Sequence, residues 1–400
     1  MSTDITTQDA EPASGVAGER GRLGAGRAEE GSWGGAFTEA AIWVTATHVV
    51  FFAISYAANW LLSTRTRGPH VAGLLDIWNR WDTVHFVHIA LNGYSATRGL
   101  FANDTAFFPL YPMTIRALHV TGLSPVAAGL LVTYLACIVA CALLYRLAHD
   151  QLGEGAARPA VLFMLLAPAA VFLVAAYSEA LFLAGAIAAF YFARRGRWLL
   201  AGVGAAVAMG ARAAAIFLLL GLLVEFLVQR DFRAWRIGLA AAGAVIALAP
   251  LVVYGLYLWS SKGDPLYFVV AQKAGWYRTF VGPVQSFLST WHTWNESQPT
   301  NWIFAWRLEI LAAAFGVGFT IWALVKRWWG YGVYMAATLV YLLTSSWYFS
   351  VPRLLLGLFP IFLLLAGWAR SPARRDLLLV VLAPIAAMGV VVFTQGAWYF

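Results

Sequence analysis

Arg80-Trp81-Asp82-Thr83-Val84-His85-Phe86 sets a carboxylate among aromatic rings and basic side chains, inside a chain that is otherwise almost all lipid-soluble. The segment around it is the densest source of reactive groups in the sequence. It holds the carboxylates Asp76, Asp82 and Asp104, the cations Arg80 and Arg98, the imidazoles His85 and His88, and the run Phe107-Phe108-Pro109-Leu110-Tyr111-Pro112. A carboxylate flanked by Trp78, Trp81 and Phe86 at a membrane surface is partly desolvated. So placed, Asp82 is able to take the proton of a hydroxyl as that hydroxyl attacks, the requirement for a general base. The same spacing also suits a helix cap or a pair with Arg80, and spacing alone leaves both readings open. If residues 74–91 form one interfacial helix, Leu74, Trp78, Trp81, His85 and His88 share a stripe. Pro109 and Pro112 stiffen the backbone around Leu110-Tyr111, as a rigid entry to the next helix or as part of an interfacial aromatic belt.

Three further turns bring polar groups to the same side from distant parts of the chain. They are Tyr177-Ser178-Glu179, the turn at Arg212, and Trp347-Tyr348-Phe349-Ser350-Val351-Pro352-Arg353. Charge at membrane depth is costly and marks functional positions. Arg212 and Arg353 suit a phosphate; a structural pair of Glu179 with Arg212 is the alternative. Gly263-Asp264-Pro265-Leu266 reads as a turn leading into an amphipathic interfacial helix that anchors its loop or covers the site.

The elements that must position these residues are membrane spans. With 61% hydrophobic and 12% charged residues and a mean hydropathy of +0.70, the chain falls in the polytopic membrane class. Apolar runs long enough to cross hydrocarbon as helices lie near 39–62, 123–145, 159–177, 179–193, 199–211, 213–229, 237–259, 304–325, 331–348, 353–369 and 377–397, about eleven in all. Basic groups such as Arg194/Arg195/Arg197, Arg230/Arg233/Arg236, Lys326/Arg327 and Arg370/Arg374/Arg375 then fall on one side, which the positive-inside rule makes cytoplasmic. This predicts a multi-pass cell-membrane protein with a cytoplasmic N-terminus and two sizeable outer segments, 63–122 and 260–303. Residues 1–38 have few large apolar side chains and are expected as a disordered cytoplasmic tail. No cleavable signal is expected, so the first span stays as an anchor.

Several classes are set aside. The net charge of +8 partly reflects the orientation signal, so it does not indicate nucleic acid. Cys137 and Cys141, four apart on one predicted span, suit packing better than a disulfide. The seven histidines show no paired zinc-ligand spacing, and there is no phosphate-binding loop, dinucleotide fingerprint or nucleophile elbow. No metal or cofactor is called for.

The ordered landmarks resemble the PIG-V family of mannosyltransferases. Arg80 to Phe86, Ile89-Ala90-Leu91-Asn92-Gly93-Tyr94 and Ala106 to Pro112 are similar to the first lumenal loop of that family. Pro168-Ala169, Tyr177-Ser178-Glu179-Ala180-Leu181-Phe182, Gly210-Ala211-Arg212, Gly263 to Leu266 with Gln272, and Pro352-Arg353 with Phe359-Pro360 continue the match in family order. That family adds the second mannose in glycosylphosphatidylinositol assembly in eukaryotes and has bacterial members. The resemblance implies an all-α GT-C-type bundle over residues 39–400, with interfacial helices in the first and a later outer loop and the active site on the non-cytoplasmic face. It implies a polyprenyl-phosphate-linked sugar donor, typically carrying mannose, and a lipid-linked or cell-envelope acceptor. The catalytic carboxylate it implies is Asp82. Arg80, Trp81, His85, Tyr177, Glu179, Arg212 and Arg353 are the candidate substrate-binding residues beside it. The Gly/Ala/Arg-rich start and Ala-rich spans look bacterial, so reaction class and donor type are what carry over. Two other readings are a lipid or sugar transporter or flippase, and a non-catalytic glycosyltransferase subunit. The first is disfavoured because the spans show no midplane carboxylate and no paired broken helices.

Overall fold

The computed structural model describes residues 32–66, 74–229, 233–296 and 300–398; residues 1–31 of the expected tail, 67–73 of the first outer segment and Arg230 lie outside them. The described residues are helical apart from loops and one isolated bridge between Phe280 and Ser345. In chain order the helices are α1 (Trp33–Thr66), α2 (Asp82–Asn92), α3 (Leu110–His119), α4 (Pro125–Leu152), α5 (Glu154–Leu165), α6 (Glu179–Arg194), α7 (Trp198–Ala211) and α8 (Ala215–Gln229). Then come α9 (Ala234–Lys262), α10 (Tyr267–Trp276), α11 (Pro283–Glu296), α12 (Thr300–Val325), α13 (Trp329–Leu343), α14 (Val351–Leu356), α15 (Pro360–Trp368) and α16 (Pro372–Thr394). Stretches of α1, α4, α9, α12 and α16 are long and apolar enough to cross a membrane, and α7, α8 and α13 are shorter apolar helices. The protein is a multi-pass membrane protein.

Three differences from the sequence reading have identifiable causes. Helix α1 starts at Trp33, inside the segment expected as tail. The run 74–91 is not one helix: a 3-10 turn at Asp76–Trp78 ends before α2 begins, because Trp81 takes φ 51° and ψ −122°. That break sends Trp78 into the core against Phe52 and Phe393, while Trp81 stays 44% exposed. The predicted spans 159–177 and 353–369 are each interrupted. Helix α5 stops at Leu165 ahead of Pro168, and only a 3-10 turn at Ala170–Leu173 follows. The second interruption falls between α14 and α15, where Pro360 starts a new helix at the position that needs no amide donor. The two interrupted helices pack on each other through α5 and α15, so paired broken helices are a feature of this fold.

Helices α6 and α7 are antiparallel and cross closely. A Cβ on Gly185 would lie 2.5 Å from the Ala208 nitrogen and 2.6 Å from the Gly204 oxygen, so only glycine permits this approach. Since α6 starts where α7 ends, the seam brings Glu179 and Arg212 together. The other end of α6 carries Arg194, which sits 3.4 Å from Glu225, and its neighbour Arg195 pairs with Asp150. At that same end Arg158 grips Glu39 of α1 in a two-pronged pair of 2.7 and 2.9 Å, and the Arg370 guanidinium donates to the Leu152 carbonyl. The basic clusters thus gather at one end of the bundle, and the candidate site lies at the other.

Candidate active site

The site is assembled on the starts of three helices. Asp82 is the first residue of α2, where unpaired amides favour a negative side chain. Its own amide donates to the Tyr177 hydroxyl (3.1 Å), and the neighbouring Thr83 hydroxyl donates to the Ala176 carbonyl (3.3 Å). Glu179 opens α6 and Arg353 lies in the short α14. The Phe-Phe-Pro-Leu-Tyr-Pro run locks this frame from below. The Tyr111 hydroxyl donates to the Gly129 carbonyl (3.0 Å) and meets the Thr133 hydroxyl (2.7 Å), which donates to the Tyr177 carbonyl (3.2 Å). Leu110 packs on Gly210, two residues before Arg212.

Four charges from four distant parts of the chain form one alternating row. The Asp82 carboxylate is 2.7 Å from a terminal nitrogen of Arg353. The Nε of Arg353 and a terminal nitrogen of Arg212 both donate to the same oxygen of Glu179. Glu179 is 4% exposed and its second oxygen has no hydrogen-bond partner. The Arg353 guanidinium also lies over the rings of Phe172 and Tyr177, 4.9 and 4.6 Å from their centroids. Burial of this kind makes the row strict: removing one member strands a partner's charge.

These contacts bear on the two ion pairs that the sequence suggested. Asp82 pairs with Arg353, while Arg80 has a buried Nε without a partner and its guanidinium lies against Gly396. Glu179 does pair with Arg212, but it shares the same oxygen with Arg353. Of the candidate residues, Asp82, Tyr177, Glu179, Arg212 and Arg353 come together. Trp81 flanks them as the strained entry to α2, and such strain concentrates at functional sites.

His85 belongs to an adjoining cluster that sequence reasoning missed. Its Nδ1 and that of His88 each lie 2.7 Å from a different oxygen of Asp104, which is 2% exposed. A carboxylate holding two imidazoles in this way makes both Nδ1 atoms donors and leaves both Nε2 atoms facing away. Phe101 stacks flat on His88 at 3.8 Å, and Phe107 and Trp276 flank His85 at 5.1 and 6.0 Å. Trp276 ends α10, brought in because Gly275 packs directly on Asn103. Only the i,i+3 spacing of the histidines hinted at this, since Asp104 gives no local sign of its partners. Glu309 was also missed: from just before the long apolar stretch of α12 its two oxygens accept the amides of Ser350 and Val351 (2.8 and 2.6 Å). It fixes the turn, with Ser350 left-handed at φ 61°, that aims Arg353.

The protein is thus a helical membrane bundle with a row of carboxylates and arginines at one end, and its relatives identify the family. The chain matches the family described as mannosyltransferase (PIG-V) over residues 68–359, and it belongs to that family. It is 37% identical over 155 residues to GPI alpha-1,6-mannosyltransferase 2 of Mus musculus and to that of Cricetulus griseus, covering 36% of this chain and 30% of each relative. Among solved structures, ArnT from Cupriavidus metallidurans bound to undecaprenyl phosphate superimposes with a TM-score of 0.52 and 20% identity, covering 88% of this chain and 64% of that one. The shared fold is that of the GT-C membrane glycosyltransferases.

Proposed function

We propose that the protein is an inverting mannosyltransferase that moves mannose from a polyprenyl-phosphate donor to a lipid-linked or cell-envelope acceptor. The observation that carries this reading is the row Asp82–Arg353–Glu179–Arg212. Family membership favours mannose, and the undecaprenyl phosphate bound by ArnT favours a lipid-phosphate donor.

In the free protein, two acids and two arginines neutralise each other. A donor phosphate entering beside Arg353 and Arg212 takes Arg353 from Asp82, so donor binding itself frees the base. The acceptor hydroxyl then attacks the anomeric carbon from the face opposite the phosphate. Its proton passes to Asp82 as the new carbon–oxygen bond forms, and the bond from carbon to phosphate oxygen breaks. The two arginines meet the charge that grows on the leaving polyprenyl phosphate. Glu179 holds them in place, and the outward Nε2 atoms of His85 and His88, walled by aromatic rings, suit the acceptor's hydroxyls.

A transporter reading draws on the broken helices, yet α14 is broken where it delivers Arg353 to the site rather than along a path through the bundle. The chemistry is tested by incubating purified wild type and Asp82→Asn with polyprenyl-phosphate mannose and a membrane lipid extract. Wild type should form a mannosylated lipid and the variant should not. Equal transfer by both, or none by wild type, sinks the assignment. Orientation, with the site outside and the N-terminus cytoplasmic, is tested in intact cells. A cysteine at exposed Val120 should react with an impermeant reagent and one at Asp376 should not; the reverse pattern inverts the topology.

A further inference from the structure

The basic end of the bundle contains a cavity of about 450 Å³ that the transfer reaction does not use. Its rim carries Lys326, Arg370 and Arg374, and its floor is apolar, formed by Leu152, Leu363 and Trp322 among others. The arginines are aimed by neutral groups: Arg370 donates to the Leu152 carbonyl (3.4 Å), and Arg374 donates to the Trp368 carbonyl (3.3 Å) and lies over that indole. Among the described residues no carboxylate pairs with any of the three cations; the nearby Asp376 pairs with Arg375 instead. Three cations around a cavity, without an acid to neutralise them, form a receptor for an anion.

A shallow apolar groove on α12 adjoins this pocket. It runs along one face of α12 past Leu311, Phe315, Gly318 and Phe319, and is almost wholly apolar. Trp322 lines both cavities. From Leu311 to Trp322 the groove is about 16 Å long at the helical rise. A charged head pocket beside an apolar groove, with Trp322 on the wall of both, matches an amphiphile, whereas a free anion would leave the groove without purpose.

We infer that this end is a binding site for an anionic phospholipid, its phosphate between Lys326, Arg370 and Arg374 and one acyl chain along α12. Charge complementarity selects the headgroup, and the shared Trp322 selects a lipid over free phosphate. The site is separate from the transfer chemistry, so it stands or falls without it.

The test uses the purified full chain in detergent, with retention of dioleoyl phosphatidylglycerol or phosphatidylcholine read by native mass spectrometry. Phosphatidylglycerol should be held about tenfold or more tightly than phosphatidylcholine. The triple variant Lys326→Ser, Arg370→Ser, Arg374→Ser, whose side chains are exposed, should lose that preference. Gly318→Leu fills the groove, and a Cβ there meets nothing within 4 Å, so the variant should fold and hold either lipid less tightly. Millimolar inorganic phosphate should not displace phosphatidylglycerol. Equal retention of the two lipids, or an unchanged preference in the triple variant, overturns the site. Displacement by inorganic phosphate, or full retention by Gly318→Leu, overturns the lipid and leaves a plain anion pocket.

Discussion

The two ends of the bundle are both rich in arginine and use it in opposite ways. At the site end, Arg353 and Arg212 are 11% and 20% exposed and share one buried carboxylate, so their charges are committed before any substrate arrives. At the basic end, Arg158 and Arg195 are 49% and 34% exposed in pairs open to solvent, and Arg370 and Arg374 meet carbonyls and, for Arg374, the Trp368 ring. The difference lies in desolvation. A guanidinium near water needs no partner and serves to orient the chain, whereas one sunk among aromatic rings requires an anion and can exchange it.

The comparison is broken most sharply through Asp82. Asp82→Asn should lower mannose transfer by roughly 10²–10⁴-fold, the usual reach of a general base, in an assay at saturating donor; a loss below about tenfold would make the carboxylate a structural counterion. Next comes Glu179→Ala, which leaves Arg212 without its carboxylate and Arg353 with Asp82 alone and should cost about 3–5 kcal/mol of stability, read as the shift in detergent-solubilised unfolding. If stability barely moves, the site end is no more committed than the basic end. Arg353→Ala should weaken binding of undecaprenyl phosphate about 10–100-fold, as expected for lost charge-assisted hydrogen bonds; Glu179 keeps Arg212 but Asp82 loses its counterion, so affinity is measured on the folded fraction. Unchanged affinity removes Arg353 from the phosphate site. At the opposite end, Arg195→Ala should change stability by less than about 1 kcal/mol, and added salt should erase even that. A loss as large as that of Glu179→Ala would show that the two ends do not differ in kind.

The candidate residues were legible to different degrees, for physical reasons. Asp82, Glu179, Arg212 and Arg353 could be picked out singly because charge is expensive in an apolar sequence and stands out there. Their pairing could not. Asp82 and Arg80 are neighbours in sequence, yet the left-handed turn at Trp81 separates them and Arg353 takes the vacant place. Asp104 sits in a polar loop where one carboxylate looks like another, so its bond to two histidines was invisible. Glu309, at the head of an apolar stretch, carried the same signal of cost as Glu179, but its role depends on a turn about forty residues away.

Composition and the periodic apolar runs by themselves determined a multi-pass helical protein, with basic groups separated from a polar, aromatic face, because hydrocarbon admits few other solutions for a backbone. The order of motifs determined the family. Tertiary structure alone decided where helices break, which carboxylate each arginine meets, and that Gly185 lets α6 and α7 approach closely enough for Glu179 to reach Arg212. Those outcomes depend on contacts between residues far apart in the chain, 33 positions for Glu179 with Arg212 and 174 for Glu179 with Arg353, and local sequence carries no record of such pairings.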